Sequence, residues 1–319
     1  MVKLPKVLAT SVVRSTHQGE SHGGAYLVDL ASARVDQVLD WNTSGISWEG
    51  RGADRGLRGI AIHNEYVVLA ASDEVFIYDG AFELRDSVRN RYLKHCHEIH
   101  LHEGSLYLTS TGFDSVLRLD LDSGRVEEGW TVRAEGWFGK LYRKGALLRP
   151  RLEAFDPNTD GGPVPGDTTH INSVWVDETG CYLSGTGTRH LFRIEGSNLE
   201  RYAALPTGTH NARPFREGVL CNHTRSDAVC HFDKRGRISA AWPLPVFAED
   251  RLEQADRPAD HARQAFGRGL TTWGEDVVIG GSSPATITAY RWREAAPLQM
   301  VNITMDVRNA IHGLEIWPF

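Results

Sequence analysis

One strand–turn–strand unit recurs along almost the whole chain. It reads VVLAASDEVFIYD from Val67, LYLTSTGFDSVLRLD from Leu106 and CYLSGTGTRHLFRIE from Cys181. It returns as VLCNHTRSDAVCHFD from Val219, VVIGGSSPATITAYRW from Val277 and, stretched, VLATSVVRSTHQGESHGGAYLVD from Val7. Each piece is short, rich in β-branched and aromatic residues, and bounded by Gly, Ser, Asp or Asn. That pattern specifies antiparallel strands rather than helices, and a fixed repeat of this kind dictates the architecture.

A further short strand precedes most copies: RGIAI from Arg58, HEIHL from His97, NSVWV from Asn172, RGLTT from Arg268 and HGLEI from His312, with a less regular HNARPF from His210. Four strands per unit and six units predict an all-β fold, a six-bladed β-propeller spanning residues 1–319 as one domain. The C-terminal segment supplies a first strand with no successors, and the N-terminus supplies three strands with no first. Residues 312–317 are therefore expected to complete the blade begun at 6–41, which removes two sheet edges. Seven blades is the alternative, with the extra one in 126–169, where Pro and Gly break the runs that four strands need. The acids closing the third strands (Asp29, Asp79, Asp120, Glu195 and Asp233) read as turn residues.

The first strand of a propeller blade lines the central channel, so its opening residue falls at one mouth. This predicts a ring of Arg58, His97, Asn172, His210, Arg268 and His312. The three histidines fall on alternate blades, and three neutral imidazoles so placed could hold one divalent ion (iron, copper or zinc) with positions left open. His170 and His95 stand two residues before Asn172 and His97, as a fourth ligand or as partners that fix an imidazole tautomer. The competing reading is a polar ring that solvates the channel. Arg58 and Arg268 carry the donor fork that suits a carboxylate or phosphate, or they pair with an acid such as Glu98 or Glu315. His100 and His102 read as packing or surface residues. Two enlarged connections, 134–169 and 243–267, are expected to lie over this mouth as insertions, the first carrying Trp137, Phe138 and Tyr142, the second a short helix around 247–255. Connection 42–57, with Trp48 and arginines at 51 and 55, joins the same rim.

Composition narrows the function classes. A net charge of −6 without basic runs argues against nucleic acid and anionic membranes as partners. The N-terminal segment lacks the apolar core of a signal peptide, and no apolar run has transmembrane length, so a cytoplasmic protein is expected. Four cysteines without a CxxC pair fit free thiols in a reducing compartment.

The ending RNAIHGLEIWPF, together with HINSVWVDETGCYLSGTG and FGRGL, resembles an uncharacterised bacterial family of β-propellers of unknown function. The architecture is more distantly similar to the gluconolactonase and strictosidine-synthase-like six-bladed propellers, which place a metal at the channel mouth on carboxylates and asparagines. This chain has mainly histidines there.

The expected function is that of a metal-dependent enzyme acting on a small, anionic substrate. His97, His210 and His312 would hold the metal, and Arg58, Arg268 and Asn172 would contact substrate. No carboxylate stands out as a general base, which tilts the expectation toward oxidoreductase chemistry. Two alternatives stand: a non-catalytic propeller that binds a protein or peptide on its rim, and a metal-free lyase or hydrolase with a ring histidine as base.

Overall fold

The structure, a computed structural model, describes residues 3–17, 19–42, 56–134, 142–143, 146–147, 150–258 and 262–319. Trp48, Arg51, Arg55, Trp137 and Phe138 of the expected rim lie outside them, as does the side chain of Tyr142. Strands and turns dominate. The helical elements among the described residues are two 3-10 turns, Thr111–Phe113 and Glu249–Arg251, and no helix there is long and apolar enough to cross a membrane.

The chain divides into two compact units, residues 1–60, 222–230 and 240–319 in the first, residues 61–221 and 231–239 in the second. In the first unit one sheet runs in the order Asn309–Ile316, Lys6–Val13, Gly24–Asp29, Arg34–Asp40. Strands from both ends of the sequence pair antiparallel in it, from Val7 opposite Ile316 to Val13 opposite Asn309, with one register shift after Thr10. A second sheet follows the sequence through Arg268–Trp273, Val277–Ser282, Thr286–Arg291 and Pro297–Asn302. Val7, Val28, Ile279, Ile287, Ala289 and Ile311 form their shared core. Each large aliphatic side chain buried this way contributes about 1.5–3 kcal/mol.

The second unit begins with a four-stranded sheet, Ile60–His63, Tyr66–Ala71, Glu74–Tyr78 and Leu84–Arg89. Next comes a nine-stranded sheet in which two runs of four, 99–134 and 171–204, flank one extra strand. Val68, Ala70, Leu106, Leu108 and Leu117 pack between the first sheet and residues 99–126; Val116, Val174, Leu183 and Phe192 pack between the two runs. A last four-stranded sheet, Thr209–Phe215, Gly218–His223, Ala228–Asp233 and Ile238–Pro243, contributes residues to both units. A four-stranded antiparallel sheet that follows the chain and recurs is the blade of a β-propeller, and that is the architecture here.

Two connections differ from expectation. Within 134–169, Pro150–Phe155 is a strand, paired antiparallel to Arg125–Ala134 from Gly129 opposite Phe155 to Ala134 opposite Pro150. Proline opens it, a position where the missing N–H is tolerated. The helix expected around 247–255 is only the 3-10 turn Glu249–Arg251, and Leu252 is already extended. Its residues hydrogen-bond elsewhere: Glu253 donates its N–H to Met305 O and accepts from Val307 N.

Four of the five turn acids behave as read. Asp29, Asp79, Asp120 and Asp233 each accept backbone N–H groups of their own turns, while Glu195 pairs with Arg193. None of the four cysteines is in a disulfide, and burial pushes the Cys181 thiol up to about 12, which makes it unreactive.

Candidate active site

His170 closes a turn, Asp167–His170, that enters the strand Ile171–Asp177 of the second unit. Its backbone is left-handed, φ 54°, a conformation unfavourable for a residue with a Cβ. The carboxylate of Asp114 holds it there. Oδ1 accepts the N–H groups of Thr169 and His170 at 2.9 and 3.0 Å and the Thr169 hydroxyl at 2.5 Å; Oδ2 accepts Thr168 N–H at 2.7 Å. Asp114 is itself left-handed, capping the 3-10 turn Thr111–Phe113. Burial raises the Asp114 carboxyl above the ordinary range, and the bonds from Thr169 and Thr168 oppose that shift. Thr111 adds a bond from its hydroxyl to Ile171 O at 2.5 Å. On the other side Gly185 lets the turn approach: a Cβ there would meet Thr169 O at 2.3 Å and His170 O at 2.4 Å.

The clamp fixes the imidazole. Nδ1 of His170 lies 3.0 Å from both carboxylate oxygens of Asp167. An ionised carboxylate only accepts, so Nδ1 carries the proton and Nε2 of the neutral ring carries a lone pair. Nδ1 of His210 lies 3.3 Å from Gly208 O, and a carbonyl likewise selects the Nδ1–H tautomer. The His170 ring centroid is 5.3 Å from that of His97 and 6.4 Å from that of His210. Three imidazoles and one carboxylate thus gather at the starts of three strands of one unit, Ile99–His102, Ile171–Asp177 and Thr209–Phe215. Thr109 holds the His97 end, its hydroxyl accepting the N–H groups of His97 and Glu98 at 3.0 and 2.9 Å.

Of the ring residues in this unit, Asn172 serves the scaffold. Its Nδ2 donates to Thr209 O at 3.3 Å and its Oδ1 accepts from the Ser173 hydroxyl at 3.0 Å, so it ties the strands Ile171–Asp177 and Thr209–Phe215 together. Glu98 Oε1 accepts from Asn211 Nδ2 at 3.2 Å. His95 is exposed, in the same left-handed conformation as His170. His100 packs as read, its ring 4.1 Å from that of Trp175 and its Nε2 2.9 Å from Val176 O.

Arg58, Arg268 and His312 belong to the first unit, and all three are buried. Thr10 links Arg58 to the strand carrying His312: its hydroxyl donates to Arg58 O and accepts the N–H of Gly313 at 2.9 Å. Arg268 donates to Gly267 O at 2.9 Å, with its guanidinium 4.0 Å over the Phe266 ring, while that of Arg14 lies 3.9 Å from the same ring. The expected metal set therefore draws His97 and His210 from one unit and His312 from the other. Among the described residues no group of three or more His, Cys, Asp or Glu side chains has an arrangement that could hold a metal ion.

Sequence reading marked His170, His97 and His210 but passed over Asp167 and Asp114. The one available signal for Asp167 was its place three residues before His170 in GDTTH. Asp114 sits in a turn of the repeat, where an acid signals only a turn.

No protein-family model matches this chain, and no curated protein matches it. Among solved structures it is similar to a protein of unknown function from Bacteroides caccae, at 8% identity over 98% of each chain with a TM-score of 0.55. It is also similar to a chain of the mitotic checkpoint complex, at 9% identity over 92% of this chain and 93% of that one, TM-score 0.51. A streptogramin B lyase covers 76% of this chain and 70% of its own at 10% identity, TM-score 0.45. The first two likenesses bear on the fold alone; the third, at that TM-score, bears on neither fold nor activity.

Proposed function

We propose that the protein is an enzyme of the lyase or hydrolase kind, acting on a small molecule by histidine acid–base chemistry. The Asp167–His170 pair carries this reading. A carboxylate at Nδ1 orients the ring, fixes its tautomer and stabilises the imidazolium that forms when Nε2 takes a proton. His97 and His210 stand close enough to take part in returning that proton or stabilising developing negative charge. The left-handed backbone of His170, in a turn whose residues 168–170 donate four hydrogen bonds to the Asp114 carboxylate, keeps the base in place before substrate arrives.

A divalent metal on His97, His210 and His312 is the other reading, and the Nδ1–H tautomers of His170 and His210 favour nitrogen ligation as well. Turnover separates the two. Protein dialysed against a chelator would be assayed on a panel of small esters, lactones and anionic elimination substrates, with metal content measured on the same sample. Turnover that survives metal removal and disappears in His170→Asn supports acid–base chemistry. Turnover lost on chelation and restored by one equivalent of metal supports the metal reading, and absence of turnover throughout supports a binding propeller.

The architecture is proposed as six blades. The nine-stranded sheet resolves into two four-stranded runs around the strand Pro150–Phe155, and these add to the four separate four-stranded sheets. The sheet pairing the two chain ends would be the closing blade.

A further inference from the structure

We infer that the second unit carries a binding site, separate from the histidines, for a small ligand bearing two or more phosphate groups. The site is an open surface depression of about 540 Å³ where the turn Arg216–Glu217, the turn after Asp233 and the face of Tyr202 meet. That volume is in the range of small-molecule sites. Four cations line it, Arg216, Lys234, Arg235 and Arg237, against two carboxylates, Glu217 and Asp233. The chain as a whole is at −6, so a local cationic excess runs against its average charge.

The cations stand on a fixed frame. Asp233 Oδ1 accepts the N–H groups of Arg235 and Arg237, both at 2.9 Å, and its Oδ2 accepts Arg237 Nε at 2.7 Å. This carboxylate is therefore spent within the turn. The tip is pinned to the neighbouring strand as well, since Ala204 donates its N–H to Lys234 O at 3.1 Å. Gly236, φ 82°, permits this approach, because a Cβ there would sit 3.1 Å from the Ala204 side chain. Arg216 occupies a two-residue turn between Thr209–Phe215 and Gly218–His223.

Tyr202 supplies the apolar wall. Its ring meets Tyr182, which is buried, edge-on at 5.0 Å, and the Lys234 ammonium lies 4.4 Å from its centroid. Held over the ring, that ammonium is a point charge with donors for a phosphate oxygen, while Arg216 and Arg235 supply planar forks suited to two-point contact. Cations on two separate turns match a ligand with two anionic groups better than one.

The test is calorimetric titration of the full chain with inorganic pyrophosphate and, separately, orthophosphate. One saturable pyrophosphate site is expected, with orthophosphate weaker and affinity falling as salt rises. Arg235→Glu and Arg216→Glu should each weaken pyrophosphate about tenfold or more, since each reverses a contact charge. Arg34→Glu, an exposed arginine of the first unit, should leave affinity unchanged, and so should His170→Asn, which separates this site from the proposed active site. Absence of saturable pyrophosphate binding would overturn the inference, and so would an equal loss in Arg34→Glu and Arg235→Glu.

Discussion

Asp114 and His170 are joined through the main chain: the carboxylate of the first accepts the amide N–H of the second at 3.0 Å, across 56 positions of sequence. The residue that presents the imidazole and the residue that locks its backbone thus come from different four-stranded runs of one sheet. The positioning of the base is a property of the second unit's packing, not of one loop.

Replacing Asp114 should separate two effects. Asp114→Ala leaves three N–H groups, of which that of Thr169 is buried, and the Thr169 hydroxyl without their acceptor, and should lower unfolding free energy by roughly 2–3 kcal/mol. Asp114→Asn keeps an oxygen for three of the four bonds and should cost less. Urea denaturation of both variants checks the order; equal loss would mean that the carboxylate's charge, not its hydrogen bonds, holds the turn.

Gly185→Ala should disturb the same turn from the other side. Its Cβ would fall 2.3 and 2.4 Å from two carbonyl oxygens that cannot swing aside as a side chain would. A cost of about 1–3 kcal/mol is expected, with activity falling as His170 moves. A crystal structure showing the turn unmoved would contradict this.

Much of this arrangement could be read from sequence, for a clear reason. Strand periodicity and turn acids are local, so the repeat, the paired terminal strands and the places of His97, Asn172 and His210 at or just before the first strands of their four-stranded runs followed from residue order. Asp114 and Asp167 did not, because an acid in a turn looks the same whether it bonds its own turn, as Asp79 does, or reaches another run of strands. The strand Pro150–Phe155 was hidden by the Pro and Gly around it, and the helix expected near 247–255 lost to hydrogen bonds with residues 305–307, distant in sequence.

His100 should make stability depend on pH. Burial against Trp175 lowers its pKa to about 4 from an ordinary 6.5. The unfolded chain therefore binds this proton more readily than the folded one. The stabilisation is whole above pH 6.5 and is lost as pH falls toward 4, an effect on the order of 3 kcal/mol at most. His100→Phe should flatten that part of the stability–pH curve measured by chemical denaturation. An unchanged slope would assign the acid sensitivity elsewhere.

Removing the C-terminal strand should expose a sheet edge. Strand Asn309–Ile316 pairs along one edge of Lys6–Val13, a strand buried from Val7 onward, and a chain ending at residue 308 leaves that edge open while the other stays paired to Gly24–Asp29. Aggregation is expected on light scattering, because an unpaired apolar edge is a template for another chain. A monomeric, cooperatively folding truncation would contradict the proposed closing blade.

Asp167→Asn should keep the turn but remove the charge that stabilises the imidazolium. Once a substrate is found, turnover should fall by about 10²–10⁴-fold, and KM should change little. A fall in KM affinity alone would recast Asp167 as a binding residue.

The protonation of His170 is the most direct test of the acid–base account. Nitrogen-15 NMR of labelled histidines, with His170 assigned by its absence in His170→Asn, reads which ring nitrogen bears the proton near neutral pH. The account predicts Nδ1–H facing Asp167 and an unprotonated Nε2 in metal-depleted protein, with that preference weakened in Asp167→Asn. A proton on Nε2 in the neutral ring, with Nδ1 bare, would contradict it.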